Sequence, residues 1–151
     1  MKLISHRGNM NGKCSSIENS LEAIENCLME GLDIEVDLWF KDGNFYLGHD
    51  LPTFKVNINE INNEKIWFHI KNIETFSVIK DYNIKNYFWH QEDSCTLTSS
   101  QKFWLFPGNF ISSKDSIFVL PELFKNVDIS KYDHYAICTD EIFYFKKLLN
   151  L

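Results

Sequence analysis

Short apolar runs recur along this chain, and almost every one ends in polar or turn-forming residues. "KLIS" leads into His6-Arg7-Gly8, "LDIEVDLWF" into the turn "KDGN", "FYL" into Gly48-His49-Asp50, and "KIWFHI" into Lys71-Asn72. "NYFWHQED", "FWLFPG", "SIFVLPE" and "YAICTD" repeat the pattern. Apolar runs of about four to eight residues bounded by turn signals read as buried strands. Helices are expected over the segment carrying Ile17, Leu21, Ile24 and Leu28, over "IETFSVIKDY", and over the closing "EIFYFKKLLNL". Strands alternating with helices or loops, with polar residues gathered after the strand ends, are how a β/α barrel presents a site at one face. Such barrels run to about 250 residues, whereas this chain has 151. The expectation is an α/β fold: a compact or incomplete TIM-like (β/α) barrel with short helices in its second half. A doubly wound open sheet is the alternative.

Composition narrows the function classes. At 44% hydrophobic and 24% charged residues, the chain can bury a core, and residues 1–151 read as a single domain. The net charge of −6 argues against a nucleic-acid backbone binder, which carries a basic stripe. No stretch has the length or apolarity of a membrane span or signal peptide, so no stable membrane insertion is expected. Cys14, Cys27, Cys95 and Cys138 form no CxxC pair, which suits a reducing, cytoplasmic setting.

Four groups carry the chemistry: His6-Arg7-Gly8, Glu18-Asn19-Ser20, Glu35-Val36-Asp37 and Gly48-His49-Asp50. Glu35 and Asp37 lie two apart on one strand, so both carboxylates share a face. Such a pair can hold a hard divalent cation, which offsets their mutual repulsion. Taken singly, each group has a plain alternative: a surface or capping histidine, a solvated strand face, or a helix cap. Asn19 with Glu22 has the form of a capping box, and Ser15 with Glu18 competes with it.

As an ordered set, "HRG", "ENS", "EVD", "KDG" and "GHD" resemble the glycerophosphodiester phosphodiesterase family, within the PI-phospholipase-C-like superfamily of lipid-metabolic hydrolases. The likeness covers the first third of the chain. It implies the barrel of that superfamily and a metal-dependent phosphodiesterase acting on a glycerophosphodiester or related small phosphodiester. It further implies that His6 and His49 form a general acid–base pair, His6 as base and His49 as acid. Arg7 and Lys71 would bind the phosphate. Glu35, Asp37 and Glu18 would face the metal, Mg²⁺ or Ca²⁺. Asp50 would orient His49, and Asn19 would cap the helix.

One departure stands out. The family carries Glu-x-Lys on the next strand, and here "WFHIKN" places His69 where that Glu belongs. An imidazole in the metal set favours Mn²⁺ or Zn²⁺; alternatively His69 is no ligand. Among the later strand ends, His90, Gln91, Glu122 and Asp140 are expected at the same rim, with His90 the best placed to touch substrate. The competing reading is a non-catalytic module that binds a phosphorylated ligand on a shortened barrel. Short connections that leave the Phe-rich faces bare also make a homodimer a reasonable expectation.

Overall fold

The structure, a computed structural model, describes residues 1–151. The first strand, β1 (Lys2–His6), is followed after a turn-rich loop by α1 (Leu21–Met29). The Ser20 hydroxyl caps α1 by accepting from the Ala23 N–H at 3.1 Å, so the cap is one residue later than the Asn19–Glu22 pattern suggests. Gly31, at φ +73°, ends the helix. Strand β2 (Asp33–Lys41) then turns through Asp42 (φ +49°) and Gly43 (φ +75°) into β3 (Asn44–Leu47). Two successive positive φ values match the right-handed twist of a tight hairpin. The short β4 (Phe54–Val56), not legible as a strand in the sequence, extends this hairpin.

β5 (Ile66–Ile70) leads into α2 (Ile73–Val78), capped by Asn72, and a 3₁₀ turn at Ile79–Tyr82. The rest is strand-rich: β6 (Asn86–Trp89), β7 (Cys95–Leu97), β8 (Phe103–Leu105), β9 (Ser116–Val119) and β10 (Ala136–Thr139). Two short 3₁₀ turns, Pro121–Leu123 and Ile129–Lys131, are the only helical segments between β9 and β10, and α3 (Ile142–Leu149) closes the chain. Helices in the second half are therefore few and short, as expected.

All ten strands form one sheet. Seven run parallel in the order β8-β9-β10-β1-β2-β5-β6, with β3, β4 and β7 antiparallel at its margins. The sheet is curled. The Ser99 N–H donates to the Tyr87 carbonyl at 2.9 Å, bringing the chain beyond β7 against β6. The Phe88 and Trp104 rings, from β6 and β8, stack with centroids 4.1 Å apart.

The period of two along each strand explains this shape. Ile34, Val36 and Leu38 of β2, with Phe68 and Ile70 of β5, point outward into a large core shared with Ile24, Cys27, Ile142 and Phe145 of the helices. The alternate positions point inward, where Ile4, Trp67, Phe88, Trp104, Ile117 and Cys138 pack on one another. An open doubly wound sheet would cover both faces with helices; here the inner face fills itself with side chains. The molecule is thus α/β, a curled half-barrel sheet with few short helices. No helix is long and apolar enough to cross a membrane.

Gly8 ties the first motif to this frame. Its φ is +93°, and a Cβ there would lie 2.4 Å from the Ala23 Cβ of α1. Gly8→Ala is expected to lower stability by about 1–3 kcal/mol through strain and overpacking. A urea unfolding midpoint equal to the wild type would contradict this packing argument.

Candidate functional site

The parallel register delivers the motif residues to one end of the sheet. His6 lies beside Glu35 across β1 and β2, and Asp37 beside His69 across β2 and β5. All four are inward positions: His6 and His69 stand at the carboxyl ends of β1 and β5, the end at which open α/β sheets and barrels bind ligands, and Glu35 and Asp37 lie between them on β2. They line or border a cavity of about 1070 Å³ together with Arg7, Lys71, His49, His90 and Asp140.

Asp37 is the centre of the charge network. It is fully buried. Its Oδ2 accepts from Asn19 Nδ2 at 2.9 Å and lies 3.2 Å from Arg7 Nε. Its Oδ1 lies 3.1 Å from His69 Nδ1 and 3.3 Å from Lys71 Nζ, yet makes no aligned hydrogen bond to either. Burial alone would raise the Asp37 pKa, but His69, Lys71 and Arg7 together hold it well below the usual carboxylate range. Asn19 also accepts from the Asp37 backbone N–H at 2.8 Å. It is therefore a positioning residue for Asp37, not the helix cap expected from sequence, and its φ of +56° turns it inward.

Glu35 is the opposite case. It accepts the Arg7 backbone N–H at 3.2 Å and lies 3.8 Å from His69 Nδ1. Burial, and next the nearby charge of Asp37, push its pKa up.

Glu35, Asp37 and His69 each offer a ligand atom within 4.8 Å of the others. Two observations show that this set fits a cation. Oδ1 of Asp37 is buried with no aligned donor. Nε2 of His69 donates to the His90 carbonyl at 2.9 Å, so in the neutral ring the Nδ1 lone pair faces two carboxylates. That arrangement calls for a positive charge between them, a proton or a metal ion. Phe88, stacked on His69 at 4.8 Å, fixes the ring plane.

The remaining expected residues fall into place less directly. Glu18 stands outside the three-ligand cluster. It accepts from Asn9 at 2.8 Å and lies 3.8 Å from Arg7 Nη1, so it steadies the guanidinium. The His90 ring donates to the Asp93 carbonyl and meets Phe106 edge-on, and its backbone carbonyl accepts from His69 Nε2. His49 donates to Asp50 at 2.7 Å on the cavity's more open side. Burial, with the charges of Arg7 and Lys71, lowers its pKa.

His6 has a partner that sequence reading did not assign to it. Its Nδ1 donates to Asp140 Oδ1 at 2.8 Å, leaving Nε2 free of protein partners. Burial opposes the charged ring, but the Asp140 hydrogen bond and the Glu35 charge outweigh it, so the His6 pKa is raised. The same bond lowers Asp140 against its own burial. Asn9, fully buried, bridges Asp140 and Glu18 through Nδ2 and accepts the Cys14 N–H. Its only sequence signal was a polar residue close behind His6-Arg7-Gly8.

The arrangement therefore presents two imidazoles, each held by a carboxylate, in the same cavity as the buried Glu35–Asp37–His69 cluster, with Arg7 and Lys71 beside Asp37. No protein-family model, no curated protein and no solved structure matches the chain.

Proposed function

We propose that this chain is a short, divergent member of the glycerophosphodiester phosphodiesterase family and cleaves a small phosphodiester with a divalent metal. On this reading the curled sheet is a shortened TIM-like barrel of the phospholipase-C-like type. The observation that carries the reading is convergence: pieces from four separate stretches, His6-Arg7, Glu35, His49 and Lys71, line one cavity, with Asp37 buried directly behind them against Arg7 and Lys71.

Glu35, Asp37 and His69 would hold the metal, which when bound supplies Lewis-acid stabilisation to a phosphoryl oxygen. The imidazole among the ligands leaves Mn²⁺ and Zn²⁺ open beside Mg²⁺ and Ca²⁺. Arg7 and Lys71 neutralise the phosphate and hold it for attack. His6 takes the proton from the attacking hydroxyl, the substrate's own or water, as its oxygen bonds to phosphorus. His49 gives a proton to the departing alkoxide as the other P–O bond breaks.

Loading the site prepares both histidines. Neutralising Glu35, as cation binding would, withdraws one of the influences that raise His6 and readies it as the base. A phosphate between Arg7 and Lys71 offsets the charges that lower His49 and readies it as the acid. Asp140 and Asp50 keep the two rings oriented. Four unpaired cysteines suit a cytoplasmic protein. The exposed Phe143, Tyr144 and Leu148 of α3 give an apolar face that a homodimer would cover.

The test is incubation with glycerophosphocholine and each metal, followed by ³¹P NMR. A new monoester or cyclic phosphate resonance is the expected result. An unchanged diester with every metal, accompanied by tight phosphate binding, would replace the enzyme with a binding module.

A further inference from the structure

Arg7 lines the cavity with its donors largely unengaged. Its Nε is buried beside Asp37 with no aligned acceptor. Its Nη1 stops 3.8 Å from Glu18 Oε2, beyond hydrogen-bond reach. Both side chains are mostly buried, Arg7 at 15% and Glu18 at 12% exposure. A guanidinium and a carboxylate this close and this dry ordinarily pair through two parallel hydrogen bonds. Here they do not close.

Asn9 supplies the reason. Positive φ values at Arg7 (+54°) and Gly8 (+93°) turn the chain back on the end of β1. The Asn9 N–H donates to the His6 carbonyl at 3.0 Å, and its own carbonyl accepts the Ser5 hydroxyl at 2.7 Å. Its Oδ1 accepts the Cys14 N–H at 2.9 Å. The residue is fully buried and fixed at these three points. That leaves the two protons of Nδ2. One goes to Asp140 Oδ1 at 2.8 Å, the oxygen that also holds His6. The other goes to Glu18 Oε1 at 2.8 Å. Glu18 thus has a donor of its own. A mostly buried carboxylate without one is costly, and the one cation within 4 Å of it is Arg7.

We propose that Asn9 is a positioning residue that keeps Arg7 open to an anion: it satisfies Glu18 from a fixed post, and so holds that carboxylate beside the guanidinium but short of pairing with it. This rests on the phosphate reading above. The role calls for two protons on one nitrogen and an acceptor oxygen on the same short side chain, which is what a primary amide offers. Without Asn9, Glu18 closes on Arg7 and competes with the phosphate for its donors.

The experiment is calorimetric titration with methyl phosphate, with and without Mn²⁺, of four proteins: wild type, Asn9→Ala, Glu18→Gln and the double variant. It needs no turnover, and urea unfolding checks that each protein is folded. Asn9→Ala is expected to weaken binding at least about tenfold, the scale of one charge-assisted hydrogen bond. Adding Glu18→Gln, which carries no charge to pair with Arg7, should bring the affinity back to within a few-fold of wild type. The gain from Glu18→Gln should be several-fold larger in the Asn9→Ala background than in the wild type. Asn9→Ser is the second variant should Asn9→Ala not fold: its hydroxyl has one proton and cannot serve two carboxylates. Unchanged affinity in the folded Asn9 variant overturns the inference and leaves the phosphate site standing. Equal gains from Glu18→Gln in both backgrounds also overturn it, because Asn9 then supports the fold alone. No binding of methyl phosphate by the wild type, with or without the metal, defeats the phosphate reading and this inference together.

Discussion

Asp37→Asn is expected to destabilise the protein by about 3–5 kcal/mol, the range for breaking a buried ion pair from one side. Arg7, Lys71 and His69 all lie within 3.3 Å of this carboxylate, and an amide leaves their charges inside without a counter-ion. The pH dependence has a definite sign. The folded pKa lies below the ordinary value of 3.8, so the stability from ionised Asp37 is present above that value and lost as pH falls through the folded one. The gap between wild type and variant in urea unfolding should therefore be full at neutral pH and shrink in acid. Metal-dependent turnover should fall with it.

Glu35→Gln should separate function from stability. Burial and Asp37 raise the Glu35 pKa above 4.5, so this carboxylate costs stability as pH rises through its folded pKa. Gln removes that cost. The variant is expected to unfold at an equal or higher temperature than wild type at pH 7–8, with no gain near pH 4. It should nevertheless lose metal-dependent turnover by at least about a hundredfold, as loss of several kcal/mol of Lewis-acid stabilisation requires. A Glu35→Gln protein less stable than wild type at pH 8 would contradict the electrostatic account. Such opposition is common where a site keeps like charges together for function.

A further large effect concerns the imidazoles. His49→Ala and His6→Ala should each reduce turnover by about 10²–10⁴-fold, the usual contribution of a positioned acid or base. The two should differ in stability. His49 is near the surface with an exposed partner, Asp50, and its loss should leave the unfolding midpoint nearly unchanged. His6 is mostly buried on Asp140. Its raised pKa means its stabilisation is full below 6.5 and is lost as pH rises through the folded value. His6→Ala should accordingly cost more stability at pH 5.5 than at pH 9. Equal cost at both values would remove the ionic character assigned to the pair.

What the sequence made legible was local. The apolar runs, the hairpin at Asp42-Gly43, and the shared face of Glu35 and Asp37 follow from strand periodicity and turn chemistry, and each is in the structure. The three-residue strands β4 and β7 were not legible, because so short a run carries no periodic signal and is made by its neighbours. At the site, the divide lies between residue type and residue partner. His6 and Asp140 are 134 positions apart and meet only because β1 and β10 pair in parallel. Asn19 looked like a cap because an amide before a helix usually is one; tertiary contact with Asp37 takes the amide instead. Glu18 was expected at the metal, but Asn9, hidden in a polar loop, draws it toward Arg7. His90 lines the cavity, and its carbonyl in addition accepts from His69 Nε2, a contact that no side-chain pattern encodes.

The most direct test of the central claim is hydrolysis of bis(p-nitrophenyl) phosphate with Mg²⁺, Ca²⁺, Mn²⁺ or Zn²⁺ added in turn to protein freed of metal, beside a His6→Ala/His49→Ala double variant. The account predicts turnover that appears with one or more of these ions, is abolished by chelator, and is lost in the double variant. Turnover that survives the chelator or the double substitution would contradict it, as would no turnover with any of the four.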